Sequence, residues 1–569
     1  MKFIGSQLVY YLRDKDFKRN SKVLVKYLAL LGIVIIIYSV LFHIIMAQVE
    51  GQQHSWLTGF YWTLTVMSTL GFGDITFHSD LGRLFSIIVL VSGIIMLLIV
   101  LPFAFIKHFY VPFLESRNKN RVPKQVPKGT KDHILICSYD VIAKDLIARL
   151  KQEKTPFFII ENLLPQALEY HDEGVPILFG ELDSQETFIL ANIKDAKMIV
   201  VNRDDILNTK IILTIRHIAP TVTIVALATD DESVHVQQLS GADHVLPVKR
   251  WLGEQLANRV NAQQARSQPI GQYEDLFIAE LPVFHTHLAS KTIKEVGLRK
   301  KFGVSIVAIW ERGRLKPVHG NEKLTFESVL VIIGNKDQLE SIDEVFFDDS
   351  INPNPVLVIG GGKVGLAAME LLHKNNIVVN LIDKDPEICE KAKHVCNKVF
   401  AGRASDYELL KKAGIMEAPS VLLSTNDDTM NIYIASYCRQ LNKDLRIVSR
   451  ISEARNIDII HRAGANFVLS YASLGSDAVL AISKGHELTV LGEGISLFIT
   501  PTPSSLVGKS LAESGIGANT GLSVIAIKEN SKVLTLLTAE TLLPQGAEIV
   551  MLGNTEMKSK FNEKYIDQA

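Results

Sequence analysis

The segment WLTGFYWTLTVMSTLGFGD, residues 56–74, lies between two long apolar stretches. Tyr27–Val49 and Leu84–Ile106 contain no Asp, Glu, Lys or Arg, and each is long enough to cross a hydrocarbon core of ~30 Å as a helix. Trp56–Ser68 is aromatic and apolar enough to re-enter the bilayer as a short helix. Because irregular backbone is tolerated at membrane depth only where it lines a polar path, the TLGFGD that follows predicts such a path.

The two glycines of TLGFGD alternate with larger residues, which allows successive carbonyl groups to point towards one axis and replace the hydration shell of a cation. This is the pattern of a potassium selectivity filter, with K⁺ as the permeant ion. Leu70 and Phe72 stand where the commonest form, TVGYG, has Val and Tyr. Phe72 lacks the tyrosine hydroxyl, so we expect packing to replace its hydrogen bond. We assign to the filter Thr69, Leu70, Gly71, Phe72, Gly73 and Asp74.

One chain supplies a quarter of such a filter, so we expect a homotetramer. Gly93 lies midway along the second span and is either a gating hinge or a site of close helix packing. Both readings stay open at this point. Neither span has the regular Arg and Lys spacing of a voltage sensor, so gating is expected to come from another part of the chain.

Basic residues set the expected orientation in the membrane. No Lys or Arg occurs from Glu50 to Asp80, whereas several Lys and Arg residues precede the first span and several follow the second. By the positive-inside rule we place both termini in the cytoplasm and the chain in the cell (inner) membrane as a multi-pass protein. A signal peptide is disfavoured because the apolar stretch is too long and a second span follows. Residues 1–25 are predicted to be a basic amphipathic segment on the lipid surface, followed by a pore domain at 26–110.

Composition excludes several classes of protein. The 569 residues include 60 Lys and Arg and 61 Asp and Glu, giving a net charge of −1, so nothing favours nucleic-acid binding. The four cysteines form no CxxC pair, which disfavours a disulfide framework or a zinc site. At this length several domains are expected.

After a linker at 111–130, short apolar runs alternate with amphipathic stretches, as in a parallel sheet with connecting helices. The pattern occurs twice. The HILIC at His133 matches PVLVI at Pro355, 222 residues later, and GADHVL at Gly241 matches GANFVL at Gly464, 223 residues later. We therefore predict two copies, at 131–350 and 351–569, each a Rossmann-like fold with a small α+β lobe.

The filter, two spans and duplicated Rossmann units resemble prokaryotic potassium channels with tandem RCK domains (regulators of potassium conductance), the branch gated by several ligands. The resemblance implies an α-helical membrane pore with two spans, a re-entrant pore helix and a filter, followed by two α/β RCK units that join a cytoplasmic gating ring. A membrane-anchored NAD-dependent oxidoreductase is the rival class, because GxGxxG also serves dehydrogenases. A potassium transporter subunit is a third. The chain has no recognisable catalytic set, and its complete filter favours the channel.

In the second copy, the strand at Val356–Ile359 leads into GGGKVG and then a helical stretch. Gly360 suits the tight turn, Gly362 the approach of a phosphate, and Gly365 the contact of helix with strand. Asp383, about twenty residues on, can accept hydrogen bonds from ribose hydroxyls and would repel a 2′-phosphate, which favours NAD or ADP over NADP. We add to this site Lys363, Val364, Lys384, Thr425 and Asn426. The resemblance further implies Gly402, Arg403 and Arg450.

The first copy lacks these features. Ser138, Asp140 and Ala143 stand at the three glycine positions, and a carboxylate there would oppose an anion. We predict that this copy binds no nucleotide. Clustered carboxylates could instead hold Ca²⁺, a ligand of the family, although solvated charges are the alternative. The candidate ligands are Asp140, Glu161, Glu181, Asp204 and Asp205.

Overall fold

The structure is a computed structural model, which describes residues 15–110, 121–260, 267–273, 275–283, 286–311, 314–316, 318, 320–325, 328–346, 354–484, 495–529, 532–535 and 537–566. Within this part, the chain forms two compact units: residues up to 123 with 163–179, and residues 124–162 with those from 180 onwards. The first fourteen residues of the predicted amphipathic segment and linker residues 111–120 lie outside the described part.

Three helices form the region predicted to be the pore. We call them the outer helix, Lys15–Gln48, the pore helix, Trp56–Met67, and the inner helix, which begins as Asp80–Gly93. The outer helix thus starts before residue 26 and includes part of the predicted N-terminal segment. Its stretch Leu24–Gln48 and the stretch Asp80–Phe105 are each long and apolar enough to cross a membrane.

The inner helix changes its winding after Gly93. It continues as a π-helix over Ile94–Val100, an α-helix over Leu101–Phe105 and a π-helix over Ile106–Tyr110. The Leu101 N–H donates to the Met96 carbonyl, five residues back. Pro102 has no N–H and its ring crowds the preceding turn, which accounts for a wider turn at this place.

Aromatic side chains pack the pore helix against the two long helices. The Trp62 ring lies 5.0 Å from that of Phe42, 5.2 Å from that of Phe77 and 5.7 Å from that of Phe85, measured between centroids. Such pairs each contribute about 0.5–1.5 kcal/mol beyond the burial of their area. Ser55 and Ser79 cap the pore and inner helices by accepting the N–H groups of Thr58 and Gly82.

The first sheet has six strands in the order β3-β2-β1-β4-β5-β6, and β2–β1, β1–β4, β4–β5 and β5–β6 are parallel pairs. Its strands are almost wholly apolar because both faces are covered by helices. The strands are β1 Ile134–Ile136, β2 Phe157–Glu161, β3 Ile177–Phe179, β4 Met198–Val201, β5 Thr223–Leu227 and β6 His244–Leu246. The helices are Val141–Gln152, Leu164–Asp172, Gln185–Leu190, Asp205–Ile218, Asp231–Leu239 and Val248–Val260.

The second sheet repeats the first. Its order is β14-β13-β12-β15-β16-β17, with every neighbouring pair parallel. The strands are β12 Val356–Ile359, β13 Val379–Asp383, β14 Lys398–Ala401, β15 Ser420–Leu423, β16 Arg446–Ile451 and β17 Phe467–Ser470. The helices are Lys363–Lys374, Pro386–Ala392, Tyr407–Ala413, Asp428–Leu441, Ile457–Arg462 and Tyr471–Ser483.

A small antiparallel lobe follows each sheet, and the two lobes share a core in which Trp310 and Val331 pack with Ile525 and Val550. The first lobe contains β7 Gln268–Tyr273, β8 Leu276–Pro282, β9 Ser305–Glu311, β10 Arg314–Lys316 and β11 Val329–Gly334, with helices Ile293–Val296, Leu298–Phe302 and Lys336–Phe346. The second contains β18 Ile495–Pro501, β19 Ser523–Glu529, β20 Lys532–Leu534 and β21 Glu548–Asn554, with helices Leu511–Ser514, Ile516–Thr520 and Thr555–Phe561.

The helix that follows each sheet packs on the first helix of the other copy. We call Val248–Val260 and Tyr471–Ser483 the first and second crossover helices, and Val141–Gln152 and Lys363–Lys374 the first and second leading helices. The first crossover helix packs so closely on the second leading helix that a Cβ at Gly253 would lie 2.4 Å from the Val364 carbonyl oxygen. In the reciprocal contact, a Cβ at Gly475 would lie 2.5 Å from Ile142 Cδ1. Each copy therefore covers the start of the other's leading helix.

Candidate functional site

The segment predicted to be the filter has an alternating backbone. Thr69, Gly71 and Gly73 have φ values of +62°, +46° and +75°, so every second residue is left-handed. Glycine adopts this conformation at little steric cost, whereas a non-glycine residue is strained there. A Cβ built on Gly71 or Gly73 would meet no atom of the described chain within 4 Å, so backbone conformation explains the glycines at these two positions.

The pore helix braces the filter. The Thr65 carbonyl accepts the N–H groups of Leu70 at 2.9 Å and Gly71 at 3.2 Å. The Phe72 ring stacks on Tyr61, with centroids 6.4 Å apart and planes 4° apart. The Tyr61 hydroxyl donates to Asp74 Oδ2 at 3.0 Å. Packing on Phe72 was expected from the sequence, but the role of Tyr61 was missed. The signal that could have revealed it is the position of this tyrosine, thirteen residues before Asp74.

Gly93 lies against the end of the pore helix. A Cβ at this position would come 2.4 Å from Met67 Cα and 2.5 Å from the Met67 carbonyl oxygen. Close packing, one of the two readings of this residue, is therefore present. The π-helical winding begins at the next residue, and the hinge role stays a prediction.

The glycine-rich loop of the second copy joins β12 to the second leading helix, and its glycines differ in what surrounds them. A Cβ at Gly365 would lie 2.0 Å from the Gly360 carbonyl oxygen, whereas one at Gly362 would meet nothing within 4 Å. Gly365 thus permits the helix to approach the strand, and Gly362 leaves open space in front of the helix N-terminus. Ser424 Oγ donates to the Gly360 carbonyl at 2.6 Å and fixes the loop.

Asp383 lies at the carboxyl end of β13, beside this loop. Its Oδ2 accepts the Gly361 N–H at 2.6 Å and its Oδ1 accepts the Asp385 N–H at 2.8 Å. Each carboxylate oxygen has a further lone pair, so ribose hydroxyls can still donate to it.

The other predicted nucleotide-site residues occupy the same edge of the second sheet. Gly402 donates its N–H to the Asp383 carbonyl at 2.8 Å, and Thr425 Oγ1 bonds Asn431 Oδ1 at 2.6 Å. Val364 is buried, while the side chains of Lys384, Arg403 and Asn426 are exposed. Lys363 forms an ion pair with Asp230 of the first copy, which the sequence did not indicate.

Arg450 is the last predicted member of this set, near the end of β16. It is only 8% exposed, and its Nη2 donates to Ser452 Oγ at 3.0 Å. Its Nε is buried and has no hydrogen-bond partner among the described residues. Burial lowers the pKa of Arg450, while the charge of Asp428 opposes this shift.

The cleft of the first copy is filled by a side chain of the chain itself. Arg203 donates from Nε to the Cys137 carbonyl at 2.9 Å and from Nη2 to Glu161 at 3.0 Å and Asn162 at 3.2 Å. Glu161, the counterpart of Asp383, is 1% exposed. Arg203 therefore bonds the carboxylate that corresponds to the proposed ribose acceptor Asp383. The sequence did not reveal this contact.

The predicted calcium cluster is not formed. Asp140 accepts the Ala143 N–H at 2.8 Å, Asp204 accepts the Leu207 N–H at 3.0 Å, and Asp205 accepts the N–H groups of Thr229 and Asp230 at 2.8 and 2.9 Å. Glu161 is paired with Arg203, and Glu181 is exposed. Across the described ranges, no three His, Cys, Asp or Glu side chains are grouped so as to hold a metal ion. Asp140 and Asp204 cap helices, and Glu161 is an ion-pair partner.

Family comparisons agree with this architecture. The ion channel family matches residues 28–107, the TrkA-N domain family matches 134–247 and 356–471, and the TrkA-C domain family matches 278–346. The chain belongs to the prokaryotic potassium channels with RCK domains. The fold class is confirmed, as is the prediction of a channel and not an enzyme.

Individual relatives include the GsuK channel, whose structure is 34% identical, covers 97% of this chain and 100% of its own, and superposes with a TM-score of 0.58. The structure of the GsuK channel bound to NAD matches over the same shares, with a TM-score of 0.57. Potassium channel protein 1 of Methanocaldococcus jannaschii is 27% identical over 55% of this chain and 95% of its own length. The calcium-gated potassium channel TvoK of Thermoplasma volcanium is 26% identical over 41% of this chain and 68% of its own.

Proposed function

We propose that four copies of this chain form a potassium-selective channel in the cell membrane and that NAD or ADP, bound by the second RCK unit, sets its opening. K⁺ passes between the carbonyl groups of Thr69–Gly73. The alternating left-handed backbone of this segment supports the filter assignment. Four chains are needed because a single chain provides one side of the filter.

The orientation follows from charge. Both termini lie in the cytoplasm, and lipid surrounds the exposed apolar side chains of the outer and inner helices. Val25, Leu28, Ile33, Leu84 and Ile95 are among these exposed residues. Basic residues before the first span and after the second, with none from Glu50 to Asp80, support this topology.

The open space at Gly362 is the observation that carries the nucleotide proposal. It lies at the N-terminus of the second leading helix, where backbone N–H groups favour a pyrophosphate. The equivalent positions of the first copy hold Asp140 and the inserted Arg203. Ribose hydroxyls donate to Asp383, and the remaining contacts come from Gly360, Lys363, Val364, Gly365, Lys384, Gly402, Arg403, Thr425, Asn426 and Arg450. A relative, the GsuK channel, has a structure with NAD bound.

Gly93 retains its proposed role as the gating hinge, through the change in helix winding that begins after it. Calcium is the ligand named for TvoK; for this chain Ca²⁺ stays a prediction without assigned ligands.

Calorimetry on the full-length channel in detergent tests the nucleotide site. Gly362→Asp places bulk and negative charge where the pyrophosphate approaches, and Asp383→Ala removes the ribose acceptor, so each should weaken NAD and ADP binding at least tenfold. Asp140→Asn is the matched control at the corresponding position of the first copy, and Asn keeps the helix cap. Unchanged affinity in Gly362→Asp, or a loss in Asp140→Asn, would refute this choice of site.

A further inference from the structure

The first crossover helix runs from the carboxyl edge of the second sheet to its amino edge. At its C-terminal end, the Val260 carbonyl accepts Ser420 Oγ at 3.1 Å and the Arg259 carbonyl accepts Arg446 Nε at 2.7 Å. Ser420 and Arg446 begin β15 and β16. Lys249 lies near the other end, about 16 Å away at 1.5 Å per residue. Gly253, one turn after Lys249, packs against the Val364 carbonyl at the start of the second leading helix, so Lys249 lies at the carboxyl edge of the second sheet.

Two positively charged side chains, Lys249 and Arg450, interact electrostatically at that edge. Lys249 is half-buried, and burial, followed by the positive charge of Arg450, lowers its pKa, while Asp205 opposes the shift. Arg450 is buried with its Nε unpartnered in the part of the chain that is described. Like charges in a partly buried space repel each other unless an anion lies between them.

The carboxylates nearby already accept hydrogen bonds from backbone N–H groups or pair with a lysine. Asp205 accepts the Thr229 and Asp230 N–H groups, and Asp428 accepts the N–H groups of Ser452 at 2.7 Å and Glu453 at 3.2 Å. Asp230 is paired with Lys363. Asp205 and Asp428 supply only part of the counter-charge, because the pKa values of Lys249 and Arg450 stay lowered, and an external anion can supply the rest.

The duplication provides an internal comparison. Tyr471 stands 222 residues after Lys249, near the start of the second crossover helix. Burial, and then the charge of Asp140, raise the pKa of Tyr471 to about 12, so that it is neutral. This position is thus a lysine in the first crossover helix and a neutral tyrosine in the second, and the Tyr471 ring centroid also lies 5.9 Å from the guanidinium carbon of Arg450.

We propose that Lys249, a residue of the first RCK unit, is a phosphate-binding residue of the nucleotide site in the second unit. A diphosphate group lies between Lys249 and Arg450 and neutralises both. The ligand class is a nucleoside diphosphate or a dinucleotide, and the phosphates link the first crossover helix to the second sheet. This inference rests on the proposed nucleotide site.

The test compares ADP with adenosine, which has no phosphate, by calorimetry on the full-length channel. Lys249→Met keeps the apolar stem and removes the charge. We expect ADP to bind about tenfold more weakly while adenosine binds as before, because a charge-assisted phosphate contact is lost. Lys249→Arg should restore the preference for ADP. The control is Arg250→Gln on the same helix, an exposed residue already paired with Asp231 and Glu254, which should change neither affinity.

Each result decides between the two proposals. Unchanged ADP binding in Lys249→Met, together with a loss in Gly362→Asp, overturns the role of Lys249 and leaves the nucleotide site standing. Equal weakening of ADP and adenosine also overturns it, because it indicates an effect on folding. Failure of the wild-type channel to bind ADP or NAD refutes the nucleotide site itself. If Lys249→Met does not assemble, lysine methylation of the wild-type channel decides: ADP, but not adenosine, should protect Lys249, and equal labelling overturns the proposal.

Discussion

Thr69, Gly71 and Gly73 give the filter its alternating left-handed backbone. Left-handed conformation costs a non-glycine residue about 1–2 kcal/mol, so Thr69 is held by its surroundings. The Thr69 N–H donates to the Val66 carbonyl at 3.0 Å, and Tyr61 holds both Phe72 and Asp74. The backbone strain at Thr69 thus lies between the end of the pore helix and the start of the ion pathway.

Replacing Gly71 by Ala should abolish potassium selectivity or current. Alanine disfavours the left-handed backbone, and the carbonyl groups lose their common direction. Bi-ionic reversal potentials in K⁺ and Na⁺ measure the effect. Gly32→Ala is the control, because Gly32 lies within the outer helix and a Cβ there meets nothing within 4 Å. Retained selectivity in Gly71→Ala would rule out this filter.

Two glycines of the second copy should respond differently to alanine. Gly365→Ala puts a methyl group against the Gly360 carbonyl, which is backbone and cannot move away, so we expect a loss of about 1–3 kcal/mol in stability. Gly362→Ala should leave stability nearly unchanged because the space is open. Thermal unfolding of the ligand-free channel, followed by intrinsic fluorescence, gives the comparison. Equal melting temperatures would contradict the close approach of helix and strand.

At the scale of helices, an ion-pair cluster fastens the second crossover helix to the first leading helix. Arg149 bonds Asp145 at 2.9 Å and also pairs with Asp477, while Lys484 reaches Glu153 at 2.5 Å. Burial raises the pKa of Asp477, and Arg149 opposes that shift. The guanidinium therefore offsets part of the cost of burying the Asp477 carboxylate.

Arg149→Ala should destabilise the two RCK units by about 3 kcal/mol at pH 8, because it leaves the poorly solvated Asp477 carboxylate without its ion-pair partner. Without Arg149 the folded pKa of Asp477 rises further, and a carboxyl whose folded pKa is raised loses stability as pH increases through it. The difference in melting temperature between variant and wild type should therefore grow from pH 5 to pH 8. A difference that is constant or shrinks over this range would contradict the role of the cluster. Arg250→Gln should show little change at either pH.

Elements built from local pattern were predictable from the sequence. Apolar runs and the GxGxxG spacing indicated the strands, the loop and its leading helix, and the pore helix was expected at Trp56–Ser68 and found at Trp56–Met67. Long-range ion pairs were not predictable, because Arg203 lies 42 residues from Glu161 and no periodicity links them. The same holds for Lys363 and Asp230. The sequence shows which carboxylates are present but not which groups they bond. For this reason it led us to expect a calcium cluster.

At the scale of the whole channel, nucleotide binding can move the gate only through different affinities for the open and closed states. A hundredfold difference at one site is worth about 2.7 kcal/mol, and four equivalent sites multiply the effect. Modest selectivity at each site is therefore sufficient. Contacts between the two RCK units, including Lys363 with Asp230 and Gly253 with Val364, are where such a difference can arise.

Single-channel recording in planar bilayers tests the central claim most directly. Purified wild-type channel should give potassium-selective unitary currents whose open probability changes when NAD or ADP is added to the cytoplasmic side. Gly362→Asp should show the same conductance and selectivity without the nucleotide response, since the filter is built from other residues. Absence of potassium current, or an unaltered nucleotide response in Gly362→Asp, would contradict the account.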